Sequence, residues 1–169
     1  MIDHSAALAD PARLAALAAY DLDDPRLRTR LDALAARTAE AVGAPVGLVS
    51  LVLDSAQHLA GSSGLTGWMA ETGGTPVEWS FCANAVVEDR PYVVQDASTD
   101  PLQHDNPLVT HDGIASYAGV PLRTRDGHVL GAQCVLDTAA HRFGPEEIAV
   151  LEAAAAQAVA ILDEHRTGA

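Results

Sequence analysis

The sequence predicts an α+β fold, a central antiparallel β-sheet with helices packed on one face and a ligand pocket on the other. Three observations carry this. Residues after Asp24-Pro25 and after Gly144-Pro145 repeat apolar side chains at helical spacing, one segment toward each end of the chain. Between them lie short apolar runs broken by turn residues, which read as strands. Apolar residues make up 49% of the 169, enough for one real core.

The elements follow in order. Residues 1–10 read as a loose start. Asp10-Pro11 caps and opens a short Ala- and Leu-rich helix to about Tyr20, because an Asp oxygen accepts from a free N–H and Pro has none to leave free. Asp24-Pro25 repeats the signal. Leu27, Leu31, Leu34, Thr38 and Val42 then form one face, and Gly43 and Pro45 stop the helix. Residues 46–53 (VGLVSLVL) are apolar on both faces, as a central strand is. Residues 57–61 are its antiparallel partner across a turn at Asp54-Ser55. Residues 61–78, rich in Gly, Ser and Thr, form a loop with one helical turn around Trp68.

Ser80 caps a short helix over 81–88 that ends before Pro91, and 92–95 is a short strand. Residues 96–113 hold Asp, Asn, two prolines and two histidines, the composition of an ordered functional loop. Residues 115–122 and 129–136 are strands joined by a turn at 125–128, where Asp126-Gly127 supplies positive φ values. Gly119 allows close backbone approach, and Pro121 implies an edge position or a strand end. Ile148, Leu151, Ala155, Ala158, Val159 and Leu162 form the buried stripe of the last helix. The first and last long helices either cover the sheet within one chain or pair in a homodimer, since their Ala-rich faces allow close approach.

Charge narrows the function classes. The chain carries 10 basic and 23 acidic residues, a formal net charge of −13, and every basic residue is Arg. A phosphate backbone is held by concentrated positive charge, so nucleic acid and anionic membranes are disfavoured as partners. No basic-then-apolar start marks a signal peptide, and no apolar stretch is long enough to span a membrane. Two cysteines, Cys82 and Cys134, are too few for a disulfide scaffold and form no CxxC pair. A cytoplasmic protein with both thiols reduced is expected.

Several segments resemble the GAF domain family. Ser80-Phe81-Cys82-Ala83-Asn84-Ala85-Val86 looks like its short pocket helix. Val93-Val94-Gln95-Asp96-Ala97, Asp100 and Asn106-Pro107-Leu108-Val109 resemble the next strand and loop. Tyr117-Ala118-Gly119-Val120-Pro121-Leu122 and the hairpin from Asp126 to Asp137 resemble the strands that follow. The likeness covers roughly residues 26–163 and implies a GAF/PAS-like fold. It divides the chain into an N-terminal helical extension (1–24), a GAF domain (25–165) and a tail (166–169). Members of the family bind cyclic nucleotides, bilins, haem, nitrate or amino acids, and one group reduces free methionine sulfoxide. Fold alone therefore selects no ligand. The cyclic-nucleotide signature contains Lys, which this chain lacks. The Cys-His pair typical of bilin attachment is absent, and the reductases use three cysteines where this chain has two.

The candidate ligand-binding residues are Trp79, Phe81, Cys82, Asn84, Asp96, His104, His111, Tyr117, Gln133 and Cys134. Trp79, Phe81 and Tyr117 are three of seven aromatics and suit a planar or apolar ligand, with Asn84, Tyr117 and Gln133 as polar contacts. They also suit plain core packing. Cys82 and Cys134 read either as small buried hydrophobes or as a redox or soft-metal pair. His104 and His111 sit among Asp96, Asp100, Asp105 and Asp112. With Cys82 they are the candidates for a metal or haem, and the alternative is a solvated loop whose Asp and Asn cap their own turns.

No nucleophile elbow, zinc helix or phosphate loop is present. The reading is a sensory or regulatory GAF domain, more a binding module than an enzyme. It would take a small molecule in a sheet-face pocket and signal through a dimer or a regulatory protein partner. The alternatives are a redox, metal or haem protein using Cys82, Cys134 and the loop histidines, and a ligand-free interaction module.

Overall fold

The structure, a computed structural model, describes residues 4–167. Residues 1–3 of the expected loose start and 168–169 of the expected tail lie outside the described residues. The chain runs through helices α1 (Ser5–Leu8), α2 (Pro11–Leu17) and α3 (Pro25–Val42), then strands β1 (Val46–Val52) and β2 (Ala56–Ser63). Helix α4 (Trp68–Thr72), strand β3 (Gly74–Pro76), helix α5 (Cys82–Glu88) and strand β4 (Tyr92–Val94) follow. Helix α6 (Pro107–Thr110), the hairpin β5 (Ser116–Arg123) and β6 (Val129–Asp137), and helix α7 (Pro145–Asp163) complete it.

Local chemistry sets the helix ends. Asp24 Oδ1 accepts from the Arg26 amide at 2.9 Å, Pro25 fills the first helical position, and Gly43 closes α3 at φ 80°. All five expected stripe residues of α3 are buried. Thr38 fits among them because its hydroxyl donates to the Leu34 carbonyl at 2.7 Å. At α7 the Gly144 amide donates to Glu147 Oε2 at 3.0 Å. Its stripe is shifted from the expected one. Ala154 and Ile161 are buried, whereas Ile148 and Val159 are only half-buried.

The six strands form one antiparallel sheet in the order β3-β2-β1-β6-β5-β4. The central pair β1–β6 is covered on both faces, which is why residues 46–53 carry no polar side. One face packs Val49, Leu51, Val120 and Val135 against Leu31, Leu34, Leu151 and Leu162 of α3 and α7. The other packs Leu48, Leu59, Tyr117, Cys134 and Leu136 against the short helices α1, α4, α5 and α6. On the first face α3 lies directly on the sheet backbone. A Cβ on Gly61 would stand 2.7 Å from the Leu31 carbonyl, and one on Gly47 would overlap the Ala35 carbonyl oxygen.

Several expectations are corrected. The first described residues are not loose: α1 buries Leu8, and His4 Nε2 lies 3.0 Å from Asn84 Oδ1 on α5. Arg13 on α2 is 5% exposed. Its guanidinium donates to the carbonyls of Leu8 (2.8 Å), Val52 (2.6 Å) and Val129 (3.3 Å), tying α1 to the end of the central strand pair. Burial lowers its pKa, with Asp10 and Asp54 opposing. The α2 helix stops at Leu17, and Tyr20 instead forms a β-bridge with Arg166. Residues 61–78 are not all loop, because Gly74–Pro76 pairs with β2 as an edge strand. Pro121 sits on an interior strand. It lies beyond Tyr92↔Gly119, where β5 has lost its outer neighbour β4, so the missing N–H leaves no ladder bond unmade.

Two outcomes follow. Asp24 is held at about 2 against an ordinary 3.8, chiefly by the Arg26 side chain and amide, with His165 adding to it. A depressed carboxylate stabilises above its unfolded pKa and loses that contribution as pH falls between these two values. Asp24→Asn keeps a capping oxygen without the charge, so its melting temperature should fall less than that of the wild type across this window. Parallel curves would contradict the assignment. At Gly61, alanine forces α3 off the sheet and should cost about 1–3 kcal/mol in urea unfolding; an unchanged midpoint would refute the close approach.

Candidate functional site

The short-helix face encloses a cavity. Sheet residues Leu48, Gln57, Leu59, Tyr117 and Leu136 form its floor, Phe81 and Cys82 from the start of α5 one wall, and Met69, Leu108 and Ile114 its cover. Its volume is about 20 Å³, room for about one water. The pocket is thus nearly filled by its own lining.

Polar groups enter this apolar layer in two places. At one end Gln57 is buried, accepts from the Ser80 hydroxyl, and lies 3.3 Å from Thr75 Oγ1. Ser80 Oγ accepts from the Ala83 amide at 3.1 Å, so the expected cap of α5 is made. At the other, the Tyr117 hydroxyl donates to Cys82 Sγ at 3.2 Å, and Cys82 Sγ lies 3.7 Å from Cys134 Sγ. Burial pushes the Cys82 thiol up, but its hydrogen bonds with Cys134 and Tyr117 outweigh it and leave the pKa below its ordinary value. Ser50 Oγ, buried beside Cys82 without a hydrogen bond of ordinary geometry, adds to this. Burial, and then the contact with Cys82, hold Cys134 well above its ordinary value; burial does the same for Tyr117.

The cover is fastened from outside. Trp68 Nε1 donates to Asp112 at 2.7 Å, linking α4 to the end of the loop after α6. Trp68 and Trp79 meet edge to face at 6.0 Å. The 96–113 segment is heavily cross-tied. Asp96 and Asp100 cap its turns, Gln103 donates to the Tyr92 hydroxyl at 2.9 Å, and Asn106 Nδ2 donates to the Trp79 carbonyl at 3.1 Å.

Of the ten sequence candidates, the structure brings Phe81, Cys82 and Tyr117 to the cavity, with Cys134 directly beneath Cys82. Trp79 is half-buried at the rim against Trp68. Asn84 is buried but turned to His4. Gln133 is fully buried on the opposite face, with its Nε2 3.4 Å from Thr38 Oγ1 on α3 and its Oε1 unpartnered. Asp96, His104 and His111 are exposed. The metal or haem set of His104, His111 and Cys82 is therefore not brought together, because the histidines face outward and the thiol is enclosed. Among the described residues no three His, Cys, Asp or Glu side chains converge. The lining residues that sequence reasoning missed are Leu48, Gln57, Leu59, Met69, Leu108, Ile114 and Leu136.

Comparison with known proteins agrees with this architecture. Over 94 residues the chain is 38% identical to a cyclic di-GMP phosphodiesterase of Pseudomonas aeruginosa, a match covering 55% of this chain and 15% of that protein. The fold is similar to the GAF domain of a phosphoenolpyruvate-protein phosphotransferase from Coxiella burnetii. That match has a TM-score of 0.69 and 18% identity, covering 90% of this chain and 92% of that one. It is also similar to a type II free methionine-R-sulfoxide reductase from Thermoplasma acidophilum. There the TM-score is 0.68 and the identity 16%, covering 86% and 98% of the two chains. At these identities the two structures show the fold alone. The GAF domain model matches residues 26–162, most of the chain, and with the six-stranded sheet between two unequal helical layers it gives the assignment: this chain belongs to the GAF domain family.

Proposed function

We propose that this GAF domain is a sensory module that binds a small, largely apolar molecule between the sheet and α5. The observation that carries the reading is the cavity, with seven apolar side chains and three polar ones, Gln57, Cys82 and Tyr117, placed at defined points. At about 20 Å³ it admits no such molecule as it stands, so binding has to move the cover. The Trp68–Asp112 bond is the contact that gives way first in this reading, because it is only part-buried. A ligand shifts such an equilibrium only by favouring one state, and the open state gains the apolar contacts. The exposed alanines Ala153, Ala156 and Ala160 on α7 offer the surface for a homodimer or a regulatory partner that would carry the signal in the cytoplasm.

A second reading keeps the pocket filled and makes the chain an interaction module. The small volume favours it. Trp68 and Trp79 are the chain's two tryptophans, so tryptophan emission reports on the cover and rim of this cavity. In a titration with a panel of small apolar and amphipathic metabolites, at least one should shift the emission of the wild type and fail to shift that of Leu108→Phe, whose larger ring fills the void. Sedimentation of the same samples should show a dimer whose association changes with the active compound. An emission unmoved by every compound, or a shift that survives Leu108→Phe, leaves the interaction module.

A further inference from the structure

The two cysteines sit in an arrangement that core packing alone does not require. Cys82 opens α5 and Cys134 lies mid-strand on β6, 52 residues away, yet their sulfurs are 3.7 Å apart. A disulfide is about 2.05 Å long, so the sulfurs need to close by about 1.7 Å, within reach of side-chain rotation and a small shift of the first turn of α5. Room for the cluster comes from Gly119, the cross-strand partner of Cys134. A Cβ there would overlap the Tyr117 hydroxyl, which could then no longer reach Cys82. The buried phenol satisfies itself on a sulfur, in a layer whose other lining is almost wholly apolar.

The two sulfurs are not equivalent. Cys82 lines the cavity, whereas Cys134 is fully buried beneath it and is not part of its lining. An agent that enters the cavity meets Cys82 first. Cys82 is also the thiol that accepts the Tyr117 hydroxyl's hydrogen bond, a contact that favours its thiolate.

We propose that Cys82 and Cys134 form a redox site, in which a small hydroperoxide admitted to the sheet-face cavity oxidises Cys82 and Cys134 resolves it to an intramolecular disulfide. The steps balance. The Cys82 sulfur attacks one peroxide oxygen and the O–O bond breaks. The leaving oxygen takes the thiol proton and departs as water, or as an alcohol from an alkyl hydroperoxide, and Cys82 becomes a sulfenic acid. The Cys134 sulfur then attacks the Cys82 sulfur, the S–O bond breaks, and hydroxide leaves with the Cys134 proton as a water. Two thiols lose two electrons and the peroxide gains them. The bond draws the first turn of α5 toward β6 and removes the thiol that Tyr117 donates to, so the cavity wall differs between the two redox states. This site needs no other ligand in the pocket.

The test uses the intact chain. Reduced protein is treated with hydrogen peroxide, denatured in N-ethylmaleimide and weighed by intact mass spectrometry. The expected product has lost the mass of two hydrogen atoms, takes no maleimide, and regains two alkylation sites after dithiothreitol. Peptide mapping should join the peptides holding Cys82 and Cys134. In Cys134→Ala the oxidation should stop at a dimedone-reactive sulfenic acid on Cys82, and in Cys82→Ala the Cys134 thiol should remain alkylatable. Two maleimide adducts on peroxide-treated wild type would overturn the proposal. So would a sulfinic acid on Cys82 with no sulfur–sulfur bond, or disulfides found only between chains.

Discussion

The contact on which the rest of the structure depends is that of the α3 backbone against the sheet. Gly47 on β1 and Gly61 on β2 present no side chain to the helix, and the carbonyls of Ala35 and Leu31 occupy that space. The helix therefore rides closer than any side-chain-mediated packing would allow. Leu31 and Leu34 reach the sheet beside it, and α7 packs alongside against β5 and β6. Long helices with continuous apolar stripes make this face a single well-filled layer. The strands it covers, β1, β2, β5 and β6, carry the floor of the cavity on their other side.

That opposite face is built differently. Its cover consists of α1, α4 and α6, none longer than five residues, together with the seven-residue α5. Helices this short have little stability of their own, so they hold their places through tertiary ties. Besides the apolar side chains they bury, polar contacts to neighbouring segments hold them. Arg13 gathers three carbonyls at one end of the sheet, Trp68 reaches Asp112, and Asn106 reaches the Trp79 carbonyl. With a fixed layer on one side and a tied cover on the other, the proposed ligand or redox change would act on the cover and leave the scaffold in place.

The parts legible in the sequence are those that local chemistry determines. Asp24, Pro25 and Gly43 mark α3 because caps act within one turn, and Ser80 marks α5 for the same reason. The uninterrupted apolar run of β1 announces a strand buried on both faces. The cavity was only partly legible. Phe81, Cys82 and Tyr117 came from the family likeness, whereas Met69, Leu108 and Ile114 join the lining from separate segments that only the fold brings together. Gln133 faces α3 and not the cavity, and the sequence holds a signal of this. Adjacent residues of a strand point to opposite faces, so Gln133 and Cys134 cannot line the same side. The acidic loop suggested a ligand set, but its Asp and Asn side chains cap turns, as such residues most often do. Arg13 is not legible, because an arginine in an Ala-rich helix reads as solvent-facing until the strand ends it caps are known.

The central claim is that one face is a scaffold and the other a cover that opens on its own. Native-state hydrogen exchange without added ligand tests it most directly. The account predicts that amides of the central strands, such as those of Ala132 and Cys134, exchange only through global unfolding. The amides of Gly73 and His111, which close α4 and α6 onto the Met69 and Pro107 carbonyls, should exchange through a smaller opening that exposes the cavity. Protection of Gly73 and His111 equal to that of the central strands would contradict it, and would make the two faces one cooperative unit.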